Sequence, residues 1–184
     1  MSQTIYDIPV KSIDGAAITL EPFKGKVLLV VNVASKCGLT PQYEGLEKLY
    51  EDKRAEGLEV LAFPANNFKG QEPGSDAEIK EFCSLTYDVK FPLFSKVSVV
   101  GADQHLLYRT LTSTQPNATG DGPFRNRLKG YGIEPNPAPD VLWNFEKFVI
   151  SRDGRVVGRF APDVTADDPR LLEAIQAELS SEAQ

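Results

Sequence analysis

Cys37 is the residue whose surroundings most clearly predict chemistry in this sequence. It ends an apolar, strand-like stretch and a short polar turn over residues 27–37, and Pro41 then opens a helix. A thiol at a helix N-terminus meets unpaired backbone N–H groups and the positive end of the helix dipole, and both favour the thiolate. Lys36 adds a neighbouring positive charge. The segment therefore predicts a reactive cysteine.

Composition limits the functions that are open to the chain. Its 184 residues, 41% hydrophobic and 25% charged, fit a single globular domain over residues 1–184. A net charge of −6 argues against nucleic acid or an anionic membrane surface as partner, and no apolar run is long enough for a membrane span. The N-terminus lacks the pattern of a signal peptide, so we expect a cytoplasmic protein. In that compartment, two cysteines are more often catalytic, redox-active or buried than joined in a structural disulfide.

Hydrophobic periodicity divides the chain into strands and helices. The predicted elements are, in order, a hairpin around Asp14-Gly15, a strand over 27–34, a helix capped by Thr40 and Pro41 and closed by Gly57, a strand over 58–63, a helix opened by the capping box Ser75–Glu78, a hairpin of 145–150 and 155–160, and a last helix opened by Asp168 and Pro169. The first long strand is apolar on both faces except at Asn32, as in a central strand. This order predicts an α/β fold with a mixed central sheet covered by helices on both faces.

Three sequence blocks carry a resemblance to a known family. They are NVASKCG at 32–38, FP at 63–64 with GQEPG at 70–74, and WNFEKF at 143–148. In order and approximate spacing they resemble the signature blocks of the glutathione peroxidase family. The resemblance implies a thioredoxin-like fold and the reduction of hydrogen peroxide, organic hydroperoxides and often lipid hydroperoxides. It also implies that Cys37 is the peroxidatic cysteine, in the place where some members carry selenocysteine. Gln71, Trp143 and Asn144 match the remaining active-site positions of the family.

These side chains suit the chemistry for reasons independent of the family. An ordinary thiol is only about 3% thiolate at pH 7, and each unit of pKa depression requires about 1.4 kcal/mol. A helix terminus supplies roughly 0.3–1 kcal/mol, whereas a hydrogen bond to a charged acceptor supplies about 1.5–3 kcal/mol. The neutral donors of Gln71, Trp143 and Asn144 should therefore dominate, holding a thiolate or orienting a peroxide oxygen. His105, the only histidine, is far from every block, and we expect it on the surface.

Cys83 has two interpretations. It lies on the apolar stripe of its helix, which is typical of a buried, inert thiol. The resemblance implies instead that Cys83 is the resolving cysteine of the thioredoxin-dependent members, which attacks the sulfenic acid of Cys37 to form a disulfide. In that case the helix must loosen before the two thiols meet. Many members carry a further cysteine where this chain has Ala65, so the disulfide chemistry is simpler here.

Residues 113–140 contain five prolines and little periodicity, which predicts a long functional or mobile loop. Arg125, Arg127 and Lys129 form a basic cluster in it, which either attracts the carboxylates of glutathione or is a solvated turn. The tetrameric members of the family have their assembly loop in a similar place, but no specific match is present. Whether the chain is a monomer or a homo-oligomer therefore stays open.

The sequence favours a non-selenium thiol peroxidase in which thioredoxin reduces a Cys37–Cys83 disulfide. One alternative is a one-cysteine peroxidase that uses glutathione directly, with Cys83 structural. Another is a peroxide sensor that passes its disulfide to a regulator. A thioredoxin-type disulfide reductase is disfavoured, because residues 37–40 lack the second cysteine of a Cys-x-x-Cys pair. We expect no cofactor and no metal, since two cysteines and one histidine show no ligand spacing.

Overall fold

A computed structural model describes residues 4–181 of the chain. Its strands are β1 (Val10–Lys11), β2 (Ala17–Ile18), β3 (Val27–Val33), β4 (Leu58–Pro64), β5 (Lys147–Ile150) and β6 (Val156–Phe160). Its α-helices are α1 (Gln42–Lys53), α2 (Asp76–Tyr87), α3 (Leu106–Thr114), α4 (Asp121–Gly130) and α5 (Pro169–Leu179). β1 and β2 form a short hairpin, and the other strands form a mixed sheet in the order β4-β3-β5-β6. The predicted α/β architecture is confirmed.

β3 lies at the centre of the sheet and is buried along its whole length, which explains its apolar character on both faces. It runs parallel to β4, from the Val27 pair with Leu58 onwards, and antiparallel to β5. The carboxyl ends of β3 and β4 and the beginning of β5 therefore meet at one edge of the sheet. Residues 37, 71 and 143 lie in the connections that leave or enter the sheet at this edge.

Most of the predicted boundaries are confirmed within a few residues. The Asp14-Gly15 turn joins β1 to β2, and Gly15 has a φ of +88°, which a glycine adopts without strain. Ser75 and Glu78 form the expected capping box of α2. The side chain of Asp168 caps α5 by accepting a hydrogen bond from a backbone N–H. Local capping patterns thus determine where these helices begin.

The prediction of a long irregular loop over 113–140 is wrong in part, because α4 occupies its centre. Pro123 falls in the first turn of α4, where a missing N–H removes no helical hydrogen bond. Phe124 and Leu128 are the buried residues of this helix. Two buried apolar residues, one helical turn apart, are too few to give a recognisable helical periodicity in a segment with five prolines.

The expectation that His105 is a simple surface residue is also corrected. Its side chain is partly buried and caps α3, because Nδ1 accepts a hydrogen bond of 3.0 Å from the N–H of Leu107. Burial lowers the pKa of His105, and a hydrogen bond to the backbone of Pro9 acts in the opposite direction. The folded state therefore favours the neutral imidazole.

Within residues 4–181, no helix has both the length and the apolar character that crossing a bilayer requires.

The cap predicts a pH-dependent contribution to stability. Because folding lowers the pKa of His105, the imidazole takes up a proton at a higher pH in the unfolded chain than in the folded protein. The stabilisation that the neutral His105 cap provides is therefore complete at high pH and is lost as the pH falls below about 6.5. The control is His105→Asn, which keeps a capping oxygen and does not titrate. We expect the wild type to lose up to about 0.5–2 kcal/mol relative to this variant between neutral and mildly acidic pH. Urea unfolding of both proteins measures the difference, and a pH-independent difference would contradict the prediction.

Candidate active site

Cys37 lies in the turn between β3 and α1, and 8% of its surface is exposed. Its Sγ accepts a hydrogen bond of 3.3 Å from the backbone N–H of Leu39. Among residues 4–181 this is the only hydrogen bond made to the sulfur. The donor predicted from the helix start is therefore present, but it belongs to the turn that precedes α1.

Thr40 fixes this turn and does not cap α1 as expected. Its Oγ1 accepts a hydrogen bond of 2.9 Å from the N–H of Cys37 and donates one of 2.7 Å to the carbonyl of Ala34. The helix begins at Gln42, and its cap residue, Pro41, makes no side-chain capping bond. The hydroxyl of Thr40 therefore connects the beginning of this turn, at Ala34, with Cys37.

Cys37 opens onto a pocket of about 250 Å³ that Gln71 and Trp143 also line. The structure thus brings together three of the predicted site residues, which are far apart in sequence. The other residues that line the pocket are Gly38, Leu39, Phe124, Arg127, Leu128, Tyr131 and Ile133. Most of these side chains are apolar, and several belong to α4, so the helix that the sequence analysis missed forms one wall of the site.

The basic cluster of α4 is partly neutralised. Arg125 Nε lies 3.3 Å from a carboxylate oxygen of Asp121, and Arg127 Nη1 lies 3.8 Å from one of Asp163. Lys129 is exposed at the end of the helix. Of the three, Arg127 is the one that lines the pocket, so a single cation of the predicted cluster faces the site.

Asn144 supports the pocket and does not line it. It is fully buried, and its Nδ2 donates a hydrogen bond of 2.9 Å to Oε1 of Gln71. Because Gln71 accepts through its oxygen, its NH₂ group is the end left to serve a ligand. None of the three predicted donors bonds to Sγ within the described residues. The geometry instead gives Gln71 and Trp143 access to the pocket, with Asn144 orienting Gln71.

Asn32 holds the segment that carries Trp143. Its Nδ2 donates a hydrogen bond of 3.1 Å to the carbonyl of Trp143, and its own carbonyl accepts one of 2.6 Å from the N–H of Phe145. Phe145 has a φ of +71°, a left-handed conformation that costs a side-chain-bearing residue about 1–2 kcal/mol. Asn32 is the one polar residue of its strand, and the sequence alone predicted no role for it. A single polar side chain in an otherwise apolar, buried strand is the feature that could have indicated this structural role.

Two oppositely charged residues follow in the same block, and both are fully buried. Glu146 lies 2.6 Å from Nη2 of Arg159; burial raises the pKa of Glu146, and the arginine opposes this. Lys147 Nζ donates hydrogen bonds of 2.6 Å to the carbonyl of Phe145 and 3.1 Å to that of Pro162. Burial lowers the pKa of Lys147 to about 7, although the charge of Glu146 acts in the other direction.

Cys83 lies outside the pocket. It is a free thiol on the inner face of α2 and is fully buried. Burial raises the pKa of the Cys83 thiol to about 11; the hydroxyl of Tyr43 lowers it and the charge of Glu72 raises it further. Cys37 is also a free thiol, so the structure holds the reduced form of both cysteines.

Comparison with solved structures identifies the fold. The chain is similar to Trypanosoma cruzi GPX1, with 30% sequence identity and a TM-score of 0.71 over 97% of this chain and 98% of that one. It is also similar to a thioredoxin-family thiol:disulfide interchange protein from Chlorobium tepidum, with 14% identity and a TM-score of 0.58 over 98% and 99% of the two chains. The predicted thioredoxin-like fold is therefore confirmed.

Sequence comparison identifies the family. Residues 5–112 match a family model described as glutathione peroxidase. The thioredoxin/glutathione peroxidase BtuE of Escherichia coli is 49% identical over 182 residues, which cover 98% of this chain and all of the relative. The hydroperoxy fatty acid reductase gpx1 of a Synechocystis species is 45% identical over 93% of this chain and 97% of its own. From these matches, together with the blocks that converge around Cys37, we conclude that the chain belongs to the glutathione peroxidase family and is a peroxidase.

Proposed function

We propose that the chain is a thiol peroxidase that reduces hydrogen peroxide and organic hydroperoxides through Cys37, and that Cys83 and thioredoxin regenerate it. The observation that carries this proposal is the pocket that Cys37 shares with Gln71 and Trp143. In the first step the Cys37 thiolate attacks the terminal peroxide oxygen and the O–O bond breaks. The sulfur becomes a sulfenic acid, and the leaving oxygen takes up a proton to give water or an alcohol.

Gln71 and Trp143 are proposed to serve the peroxide more than the resting sulfur. The backbone N–H of Leu39 already donates a hydrogen bond to Sγ. The amide NH₂ of Gln71 and the indole N–H of Trp143 belong instead to residues that line the pocket, where a peroxide would bind. Donors fixed in advance around a breaking O–O bond stabilise the charge that develops on the leaving oxygen. Asn144 contributes by fixing the Gln71 amide.

The second step requires Cys83 to leave the core. A thiol with a pKa of about 11 is protonated at neutral pH and is a poor nucleophile where it stands. α2 buries two side chains, those of Ile79 and Cys83, with Phe82 partly buried, whereas α1 buries five side chains. A helix with so few buried contacts opens at a low free-energy cost. Once α2 opens, the Cys83 thiol condenses with the sulfenic acid, a disulfide forms and water is released. Thioredoxin then reduces that disulfide to two thiols.

The shape of the pocket supports hydroperoxides with an apolar body. Phe124, Leu128 and Ile133 supply an apolar wall, and Arg127 adds a cation. A bulky hydroperoxide buries more surface against this wall than hydrogen peroxide does. The relative named hydroperoxy fatty acid reductase is consistent with this substrate class. A cytoplasmic location and a single domain over residues 1–184 stay predictions.

Direct use of glutathione is the second candidate. The complete burial of Cys83 and the presence of Arg127 beside Cys37 favour it, since an arginine binds the carboxylates of glutathione well. In this scheme one glutathione thiol condenses with the sulfenic acid to give a mixed disulfide and water. A second glutathione then attacks the mixed disulfide, which releases glutathione disulfide and the Cys37 thiol. The name of the relative BtuE includes both reductants.

Cys37→Ser tests the first step. We expect peroxidase activity to fall to background with either reductant, because a serine hydroxyl is not ionised near pH 7 and reacts poorly with peroxide. Circular dichroism should show an unchanged fold. Retained turnover in this variant would overturn the proposed mechanism.

Cys83→Ser separates the two candidate functions. If Cys83 resolves, turnover with thioredoxin is lost, whereas the first oxidation of Cys37 keeps its rate. Peptide mapping of the peroxide-treated wild type should then find one Cys37–Cys83 disulfide, and hydrogen exchange should find α2 less protected in the oxidised protein. Absence of the disulfide, together with normal glutathione-dependent turnover in the variant, would instead assign Cys83 to the core.

Gln71→Ala tests whether the Gln71 amide serves the peroxide while the backbone N–H of Leu39 serves the sulfur. We expect oxidation of Cys37 by hydrogen peroxide to slow by about 10- to 150-fold, the equivalent of about 1.5–3 kcal/mol for one donor to a charged group. Alkylation of Cys37 by iodoacetamide should change little, because the Leu39 N–H still serves the sulfur. Lys69→Ala, an exposed change in the same loop, is the control. Equal losses in both reactions would show that Gln71 acts on the sulfur itself.

A further inference from the structure

Lys147 is fully buried and has no ion-pair partner among residues 4–181. No surface of the residue is exposed, yet the described residues place no carboxylate oxygen within 4.0 Å of Nζ. The adjacent carboxylate, Glu146, is paired with Arg159 on β6. An amine taken out of water in this way is unfavourable unless hydrogen bonds replace the lost solvation. Two backbone carbonyls, those of Phe145 and Pro162, supply the replacement.

A second unfavourable feature lies at one of those carbonyls. Phe145 is left-handed, and both of its backbone polar groups are tied, the N–H to Asn32 and the carbonyl to Lys147. A bulky residue persists in that conformation only where its surroundings impose it. The buried amine and the strained backbone therefore belong to one arrangement, the turn at Asn144 and Phe145 that precedes β5.

Two predicted site residues, Trp143 and Asn144, lie in or next to this turn. Trp143 lines the Cys37 pocket, and Asn144 bonds to the Gln71 amide at 2.9 Å. We propose that Lys147 is a positioning residue of the peroxidase site: by holding the Phe145 carbonyl, it fixes the turn from which Trp143 reaches the pocket and Asn144 orients Gln71. The inference rests on the proposed roles of Cys37 and Gln71 in the first oxidation step.

Lys147→Met tests this inference in the full-length, reduced protein. The methionine nearly keeps the side-chain length and removes the donors. We expect the second-order rate of Cys37 oxidation by hydrogen peroxide to fall by about tenfold to a hundredfold, the size of effect that a misplaced site produces. Alkylation of Cys37 by iodoacetamide should keep its rate, since the Leu39 N–H is untouched. Trp143, the only tryptophan in the sequence, should become more accessible to acrylamide quenching.

The matched control is Val149→Ala, which removes buried volume two positions along the same strand. It should lower the melting temperature while leaving the oxidation rate and the Trp143 quenching as in the wild type. A wild-type oxidation rate in a folded Lys147→Met protein would overturn the inference. So would an equal loss in the Val149→Ala control.

If the methionine variant does not fold, Lys147→Arg decides, because it keeps the charge and the donors. The inference requires the oxidation rate and the quenching of Trp143 to change together or to stay unchanged together, so increased quenching at a normal rate overturns it. A slower oxidation with unchanged quenching overturns it. Failure of the proposed function itself is distinguishable, since it appears as retained turnover in Cys37→Ser.

Discussion

The opposite directions in which β3 pairs with its two neighbours are the constraint on which the site depends. β4 runs parallel to β3, so the chain leaves both strands at the same edge of the sheet. β5 runs antiparallel, so the chain enters it at that edge as well. Cys37 follows β3, Gln71 follows β4, and Trp143 precedes β5. Backbone pairing therefore brings three blocks that are distant in sequence to one edge of the sheet.

Around this edge the molecule buries polar groups that a globular core normally excludes. Asn32, Asn144, Glu146 and Lys147 have no exposed surface. Burying such groups is unfavourable unless each finds partners, and half of the partners are backbone groups of the segment that carries Trp143, at Leu142, Trp143 and Phe145. The other partners are Gln71, Arg159 and Pro162. Within the described residues, the side-chain oxygens of Asn32 and Asn144 have no hydrogen-bond partner, so the network is not fully satisfied. The groups that are bonded still resist small displacements, because shifting one of them leaves another unsatisfied. The site gains rigidity at the expense of stability.

The features that could be predicted from the sequence are those that depend on neighbouring residues alone. The strands, the capping box of α2 and the start of α5 follow from periodicity and side-chain chemistry within a few residues. The sequence did not predict interactions that depend on tertiary approach. The Thr40 hydroxyl binds backbone groups three and six residues away, where a capping pattern suggested the helix start.

The sequence predicted which residues form the candidate site, but it did not predict how they are arranged within it. Family resemblance placed Gln71, Trp143 and Asn144 together, and a pattern of residue types cannot tell a ligand-facing amide from one that supports it. α4 was missed because its first turn contains Gly122 and Pro123 and few of its side chains reach the core. The apolar wall of the pocket was missed with it.

That wall has a consequence for how the protein can diverge. The reacting sulfur and its supporting turn belong to the sheet edge, whereas α4, which shapes the space next to them, is outside the sheet and fully buries two of its side chains. Under the proposed function, changes in α4 would alter which hydroperoxide fits without disturbing the hydrogen bond at the sulfur. Substrate range and reaction chemistry would then be carried by separate parts of the chain, and one could evolve while the other stays fixed.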